Sequence, residues 1–269
     1  MVELVNQKHR IHELDRAEGS TWILILDAGR ADVFQEIYED YEVLADGEYQ
    51  TMWNNENQNT PNWFKDVFQY AIDGHCFHGG QPIRGIKNIK YDERECFEEV
   101  PSVMLYDTWE PPEDADGNYK TPDPASVTSL VEQHLPTHNE VEERLVNLGY
   151  KDFHEQDEPS VNMNVVRYLQ PHAPYRGLPD FSDHTGEIYA KYTDDEDEFG
   201  HEEFREAYID NYRWGMKHAA ELVEILQDWG ADDIIVTADH GECLGDCGQF
   251  FHSNDCIDVY QVPWLRVEQ

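Results

Sequence analysis

The stretch Thr237-Ala238-Asp239-His240-Gly241-Glu242 decides the fold and the site that we predict for this chain. It follows residues 232–236, Asp-Asp-Ile-Ile-Val, a β-branched apolar run that predicts a buried strand. In open α/β sheets, ligands bind outside the carboxyl ends of the strands. Asp239 and His240 are therefore predicted to lie at a sheet edge where a site forms.

Two other apolar runs end in the same way. Residues 22–26, Trp-Ile-Leu-Ile-Leu, lead into Asp27, and residues 162–169 lead towards His172. Such Asp and His side chains supply oxygen and imidazole ligands suited to Zn²⁺ or Mn²⁺, whereas Ca²⁺ and Mg²⁺ prefer more oxygen. A lone Asp after a strand is often only a helix cap or turn residue. The prediction of a divalent metal site therefore rests on the recurrence of this pattern.

Apolar strands alternate with helical patterns, which predicts an α/β fold with a mainly parallel central sheet flanked by helices. Strands are predicted at residues 21–26, 71–79, 102–107, 162–169, 232–236 and 262–267, and weaker ones at 42–44 and 48–51. Helices are predicted at residues 9–16, 29–38, 62–70, 124–134, 140–148 and 204–229, the last ended by Gly230. Residues 1–269 are interpreted as one domain, with residues 1–20 as a polar N-terminal extension.

The chain is strongly acidic, with 57 Asp and Glu against 19 Lys and Arg and a net charge of −38. Such a surface repels nucleic acid and anionic membranes, so neither is expected as a partner. Acidity spread along the chain, with little Lys, is typical of proteins adapted to high salt, where screening weakens self-repulsion. No apolar run approaches the ~20 residues of a membrane span. With five Cys and no signal-peptide pattern, a cytoplasmic location is expected.

Thr60 is the candidate nucleophile. It precedes Pro61, which suits the first turn of the helix predicted at residues 62–70, so Thr60 is expected at the helix N-cap. A threonine hydroxyl is unreactive at its ordinary pKa, but a metal ion or a helix N-terminus stabilises its alkoxide. The alternative is that Thr60 only caps the helix.

Four motifs follow one another along the chain: Leu26-Asp27-Ala28-Gly29-Arg30-Ala31-Asp32, Asn59-Thr60-Pro61, Gln170-Pro171-His172-Ala173-Pro174-Tyr175 and Thr237-Ala238-Asp239-His240-Gly241-Glu242. In kind and order they resemble the alkaline phosphatase superfamily, and within it the sulfatase-like hydrolases and transferases. The resemblance runs over most of the chain and implies the three-layer α/β sandwich of that superfamily.

The resemblance also implies a site. Asp27, Asp239 and His240 would hold a divalent metal ion, Zn or Mn in first place and Ca or Mg as alternatives, with Thr60 as fourth ligand and nucleophile. The reaction implied is a two-step displacement through a covalent ester of Thr60.

Three further residues are assigned to the substrate by the resemblance. His172 would hydrogen-bond the transferring group or protonate the leaving oxygen. His252 stands where related sequences place a further His for metal or substrate, and Arg30 where they carry an Arg. The alternative for Arg30 is a structural salt bridge with a neighbouring acid. The substrate implied is a small-molecule or glycan-type phosphate or sulfate ester.

One departure from the family pattern indicates which ester the chain acts on. True sulfatases carry Cys or Ser in a Cys/Ser-x-Pro-x-Arg signature that becomes formylglycine, whereas this chain has Thr60-Pro61-Asn62. Threonine cannot become formylglycine, so phosphoester hydrolysis or transfer is favoured over sulfate hydrolysis. The alternatives are a formylglycine-independent sulfatase and a catalytically silent relative that binds a ligand.

Other clusters have competing interpretations. Cys243, Cys247, His252 and Cys256 suggest a structural zinc site, or else small apolar fillers. The cluster of His75, Cys76 and His78 is interpreted as ordinary core and surface. His218 lies near the place in the order where a second metal pair would stand, but without a motif, so one metal is expected. Glu242 is either a partner that orients His240 or a turn residue.

Overall fold

A central eight-stranded sheet organises the chain. The computed structural model describes residues 4–14, 19–70, 74–79, 91–97, 100–103, 123–135, 163–173, 175, 201–245, 249–252 and 256–268. Their strands are β1 (Val5–Asn6), β2 (Thr21–Leu26), β3 (Glu48–Trp53), β4 (Cys76–Gly79), β5 (Ser102–Val103), β6 (Met163–Tyr168), β7 (Asp233–Thr237), β8 (Cys243–Leu244), β9 (Phe250–Phe251) and β10 (Gln261–Arg266). Their α-helices are α1 (Gln7–Leu14), α2 (Ala31–Ile37), α3 (Glu42–Ala45), α4 (Thr60–Val67), α5 (Pro124–His134) and α6 (His201–Trp229).

The sheet order is β1-β3-β10-β7-β2-β6-β4-β5. Strand β2 lies at the centre and pairs in parallel with both β7 and β6, so that Ile23 is opposite Ile235 on one side and Val165 on the other. In this sheet β10 runs antiparallel to both of its neighbours, β7 and β3, and the described strands β8 and β9 form a separate antiparallel pair. The carboxyl ends of β2, β6 and β7 therefore meet at one edge, as predicted for a mainly parallel sheet.

The alternating side chains of β2 separate two cores. Trp22, Leu24 and Leu26 pack into a cluster with α2, α5 and α6, whereas Ile23 and Ile25 pack into another with α1 and α4. All six residues of β2 are buried, as expected for a strand covered on both faces. This confirms the predicted α/β architecture of helices on both sides of a sheet.

Most predicted elements form with small changes of their ends. Helix α6 begins three residues earlier than predicted, and Gly230 at φ +95° follows it. The strand predicted at residues 42–44 is wrong: this segment is helix α3, in which the N–H groups of Leu44 and Ala45 both donate to Tyr41 O. A three-residue apolar pattern is too short to separate a strand from one helical turn. The helix at 140–148 and residues 104–107 lie outside the described residues.

The described part of the N-terminal segment packs against the sheet. Strand β1 pairs in parallel with β3, and Gln7 and Ile11 of α1 are buried. The Gln7 amide donates to Thr237 Oγ1 (2.8 Å) and to Ala238 O (2.7 Å), and Gln7 Oε1 accepts from Trp63 Nε1 (2.8 Å). Helix α1 therefore ties the end of β7 to α4, which are the elements that carry Asp239 and Thr60.

Across the helices that the structure describes, none combines the length and apolar character needed to cross a membrane.

Candidate active site

The ends of β2 and β7 bring the first candidate ligands together. Ile25 is opposite Thr237 in the parallel ladder, so Asp27 and Asp239 both emerge just beyond the same edge. Asp27, Asp239 and His240 are each at most 1% exposed. The sequence prediction that two distant strand ends meet is therefore met by the register of the sheet.

These three side chains form a candidate metal centre. One ligand atom from each lies within 4.8 Å of the other two, and no other such group of three occurs in the described part of the chain. His240 Nε2 is 3.5 Å from Asp27 Oδ1 and 3.8 Å from Asp239 Oδ2. None of these three buried atoms has a hydrogen-bond partner among the residues that the structure describes. Since buried polar atoms are normally paired, their convergence fits a divalent cation, and the oxygen and imidazole set suits Zn²⁺ or Mn²⁺.

The remaining atoms of these side chains are held by the backbone. Asp239 Oδ1 accepts from the N–H groups of Ala28 (3.3 Å) and His240 (3.0 Å). His240 Nδ1 lies 2.8 Å from Gly241 O, so it carries the proton and leaves the lone pair on Nε2. A Cβ on Gly241 would lie 1.9 Å from Asp258 O, so only glycine fits there. The motif thus fixes which atoms point towards the centre.

Thr60 lies at the same centre, but not in the predicted cap position. It is the first residue of α4, and its hydroxyl donates to Asp27 Oδ2 at 3.2 Å. The N-cap is Asn59, whose Oδ1 accepts from Asn62 N–H at 3.0 Å. The prediction of Thr60 as the cap is therefore wrong, because the Asn amide one residue earlier supplies that oxygen. The hydroxyl of Thr60 is left to face the carboxylate.

Arg167 is a site residue that the sequence reasoning missed. It is the fifth residue of β6, is 7% exposed, and forms a salt bridge with Asp27 through Nε (3.1 Å to Oδ2) and Nη2. Its signal in the sequence was a single charged residue inside the buried strand Met-Asn-Val-Val-Arg-Tyr. Charged residues are almost never fully buried unless paired, so such an arginine predicts a buried acid beside it.

The two carboxylates have opposite pKa shifts. Burial alone would raise the pKa of Asp27, but the charges of Arg167, His172 and His240 outweigh it and hold that pKa below its ordinary range. Burial, together with the negative charge of Asp27, raises the pKa of Asp239 to about 7. Burial, and then the charge of His252, lowers the pKa of His240 to about 3. The imidazole is therefore neutral, as a metal ligand must be.

His172 and His252 lie beside the centre. The rings of His252 and His240 are 4.4 Å apart between centroids, and those of His252 and His172 are 5.1 Å apart. The backbone N–H of His172 donates to Asp27 O at 2.9 Å, and the ring Nδ1 of His172 lies 2.6 Å from Ala173 O. The structure therefore brings both predicted histidines to the centre, and whether His252 contacts metal or substrate stays a prediction.

Glu242 faces His252. Its Oε1 is 3.6 Å from His252 Nε2, and its Oε2 accepts from the Tyr175 hydroxyl at 3.4 Å. Burial alone would lower the pKa of His252, but the Glu242 carboxylate outweighs burial and raises it to about 9. His252 is thus a cation at neutral pH. The sequence suggests that Glu242 orients His240 or belongs to a turn. In the structure its carboxylate instead contacts His252 and Tyr175.

Arg30 is held by acids. Its guanidinium pairs with Asp32 (2.7 Å) and Asp258 (3.4 Å), and Nη1 donates to Glu242 O at 3.4 Å. The side chain is 5% exposed. These contacts are those of the structural salt bridge, and a role in substrate binding stays a prediction.

The other members of the alternative clusters have different surroundings, whereas His252 of the cysteine cluster lies at the centre. Cys243 and Cys256 are buried in a small apolar cluster with Val259, and Cys247 lies outside the described residues. His218 is in α6, where its Nδ1 is 2.6 Å from Glu221 Oε2. His78 is fully buried, with Nε2 3.3 Å from Cys76 Sγ and 3.7 Å from Glu93 Oε1, so it belongs to the core as interpreted.

Comparison with known proteins finds solved structures with a similar fold. No family model matches the sequence, and no curated protein matches it. Among solved structures, the C-terminal periplasmic domain of EcEptC from Escherichia coli in complex with Zn is 13% identical, with 95% of this chain and 74% of that chain covered at a TM-score of 0.52.

Two further structures resemble the chain. The C-terminal periplasmic domain of phosphoethanolamine transferase EptC from Campylobacter jejuni is 13% identical, covering 98% of this chain and 82% of that chain at a TM-score of 0.50. The lipoteichoic acid synthase LtaP from Listeria monocytogenes is 10% identical, covering 97% and 71% at a TM-score of 0.50. At such identities the likeness concerns the fold alone: the chain shares the mainly parallel α/β fold of these three structures, in agreement with the fold that its four motifs predict.

Proposed function

We propose that this protein is a phosphoester transferase or hydrolase that uses one divalent metal ion and Thr60 as its nucleophile. The observation that carries the proposal is the convergence of Asp27 Oδ1, Asp239 Oδ2 and His240 Nε2, three buried atoms without hydrogen-bond partners, next to the Thr60 hydroxyl. The fold neighbours include a phosphoethanolamine transferase and a lipoteichoic acid synthase, whose named activities agree with transfer at phosphorus.

The proposed reaction has two steps, in which Thr60 and Asp27 have different roles. Thr60 Oγ1 gives up its proton, attacks phosphorus and forms a phosphothreonine ester, while the bond to the leaving oxygen breaks and that oxygen takes up a proton. The Asp27 carboxylate, which accepts the Thr60 hydrogen bond, orients the hydroxyl. When bound, a divalent metal supplies positive charge that stabilises an alkoxide and the phosphoryl oxygens. Water or an acceptor alcohol then attacks the ester and regenerates Thr60.

The histidines act on the phosphoryl group and on the leaving oxygen. Despite burial, the Glu242 carboxylate raises the pKa of His252 to about 9, which favours the protonated ring at neutral pH, and this ring lies beside those of His240 and His172. From this position it neutralises charge on the phosphoryl group or gives a proton to the leaving oxygen, a role that the resemblance implies for His172. The acidic surface of the chain makes an anionic macromolecule a poor substrate. A small-molecule or glycan-type ester therefore remains the proposed substrate class.

The test is a panel of phosphate monoesters, phosphate diesters and sulfate esters, assayed with Zn²⁺, Mn²⁺, Mg²⁺ and Ca²⁺ at molar salt, together with the metal content of the purified protein. We expect about one Zn²⁺ or Mn²⁺ per chain and turnover of a phosphate ester. Turnover of sulfate esters alone would favour the formylglycine-independent sulfatase. A metal-free protein inert towards the whole panel would favour the silent binding protein and overturn the proposal.

His252→Gln should reduce the turnover number by about 100-fold, because general acid groups contribute 10²–10⁴-fold. The wild-type turnover should fall as pH rises through about 9, where His252 loses its proton. The variant should lack this alkaline limb. Measurement of pH–rate profiles for both proteins between pH 6 and 10.5 checks this. An unchanged alkaline limb in the variant would assign that limb to another group.

A further inference from the structure

We infer that Arg167 is a positioning residue that selects which oxygen of Asp27 faces the metal, an inference that rests on the proposed function. The starting observation is the sheet register. Ile25 lies opposite Arg167, and Asp27 N–H donates to Tyr168 O at 3.1 Å. The guanidinium is thus anchored by a parallel ladder directly beside the strand end that carries Asp27.

The two oxygens of Asp27 have different environments. Oδ2 accepts from Arg167 Nε, from Arg167 Nη2 and from the Thr60 hydroxyl. Within the described part of the chain, Oδ1 has no hydrogen-bond partner, and it lies 3.5 Å from His240 Nε2. A carboxylate whose second oxygen is held by a guanidinium fork cannot rotate freely, so Oδ1 is presented to the centre.

The charge balance points the same way. Asp27 and Asp239 are two buried carboxylates, and Arg167 is the buried cation in contact with one of them. Without its guanidinium, Asp27 would share a buried site with a like charge and keep no fixed partner for Oδ2 except Thr60. Arg167 also shares that oxygen with the Thr60 hydroxyl, so one side chain sets the position of both ligand and nucleophile.

Arginine is suited to this role in a way that lysine is not. Its planar fork donates two N–H groups in fixed directions, whereas a lysine ammonium acts as a single mobile charge. We therefore expect Arg167→Met to weaken Zn²⁺ binding by about 10- to 100-fold, the usual cost of losing an outer partner of a metal ligand. Arg167→Lys should lie between Arg167→Met and wild type.

The matched control is Arg266→Met. Arg266 also directs Nε (2.7 Å) and Nη2 to one carboxylate oxygen, that of Asp233, but at the opposite end of the sheet. This substitution removes an ion pair of the same geometry, with a half-exposed arginine, and does not touch the centre, so the Zn²⁺ affinity of the variant should equal that of wild type. Affinity is measured by competition with a chromophoric chelator on metal-free protein at pH 7.5 in molar salt, and folding by circular dichroism.

The outcomes distinguish failure of the role of Arg167 from failure of the proposed function. A folded Arg167→Met variant with wild-type Zn²⁺ affinity would overturn the role of Arg167 and leave the proposed function standing. If that variant does not fold, Arg167→Lys decides: a folded Lys variant with unchanged affinity overturns the inference, and a reduced affinity supports it. A wild-type chain that binds no Zn²⁺ would overturn the proposed function and this inference with it.

Discussion

Thr60→Ala should lower turnover of the best phosphate ester by about 10³-fold or more, which is the scale of losing a nucleophile that acts together with its partners. The hydroxyl of Thr60 is the only part of the side chain that reaches Asp27 Oδ2, at 3.2 Å. Steady-state assays and mass spectrometry of the quenched reaction check this: wild type should carry a phosphoryl group on Thr60, and the variant none.

The structure provides a clean control for this substitution. Because Asn59 rather than Thr60 caps α4, Thr60→Ala should leave the helix intact and change the free energy of unfolding by about 1 kcal/mol, the value of one hydrogen bond. Thr60→Ser keeps the hydroxyl and should keep turnover within about tenfold of wild type. Full activity in Thr60→Ala would remove Thr60 as nucleophile.

Asp239→Asn should stabilise the metal-free protein at pH 8 while abolishing tight metal binding. The pKa of Asp239 is raised to about 7 in the folded chain, against an ordinary value of 3.8. Between these values the folded state keeps a proton that the unfolded chain has lost, so the stability of the metal-free protein falls as pH rises from about 4 to 7. Asparagine carries no charge, so the stability of the metal-free Asp239→Asn variant should not fall between about pH 4 and 7 in this way.

Thermal melting at pH 4.5 and pH 8, with and without Zn²⁺, measures both effects. Zn²⁺ at 100 times its Kd should stabilise wild type by about 2.7 kcal/mol at pH 8, and the variant by much less. Removal of the ion with a chelator should abolish wild-type turnover, and added Zn²⁺ or Mn²⁺ should restore it. If Asp239→Asn melts below wild type at pH 8 without metal, the two buried carboxylates do not repel each other as inferred.

The sequence predicts the parts of this site that lie at the ends of apolar strands. Thr21–Leu26 and the run before Asp239 are β-branched and continuous, so their strands and the side chains at their tips follow from local pattern alone. The helix starting near Pro61 is predicted for the same reason, since proline suits a first turn.

The parts that escape prediction depend on partners far along the chain. In the sequence, Arg167 only interrupts a mostly apolar strand. Its partner Asp27 lies 140 residues earlier, and the two meet only because β6 pairs with β2. The direction of Glu242 towards His252 depends likewise on tertiary packing. The cap of α4 is a local choice between two adjacent polar residues, Asn59 and Thr60, both of which are favoured caps.

The position of β10 has a consequence for the order in which the molecule assembles. This strand is the last in chain order, yet it lies between β7 and β3, and β1 is joined to the sheet through β3. On a ribosome, β2, β4 and β6 can pair while synthesis continues, but β3 must wait for β10. Pairing between such distant segments has a large loop-closure cost, so this half of the sheet should form late. The candidate metal centre likewise becomes complete only after β7 has been synthesised and has paired with β2.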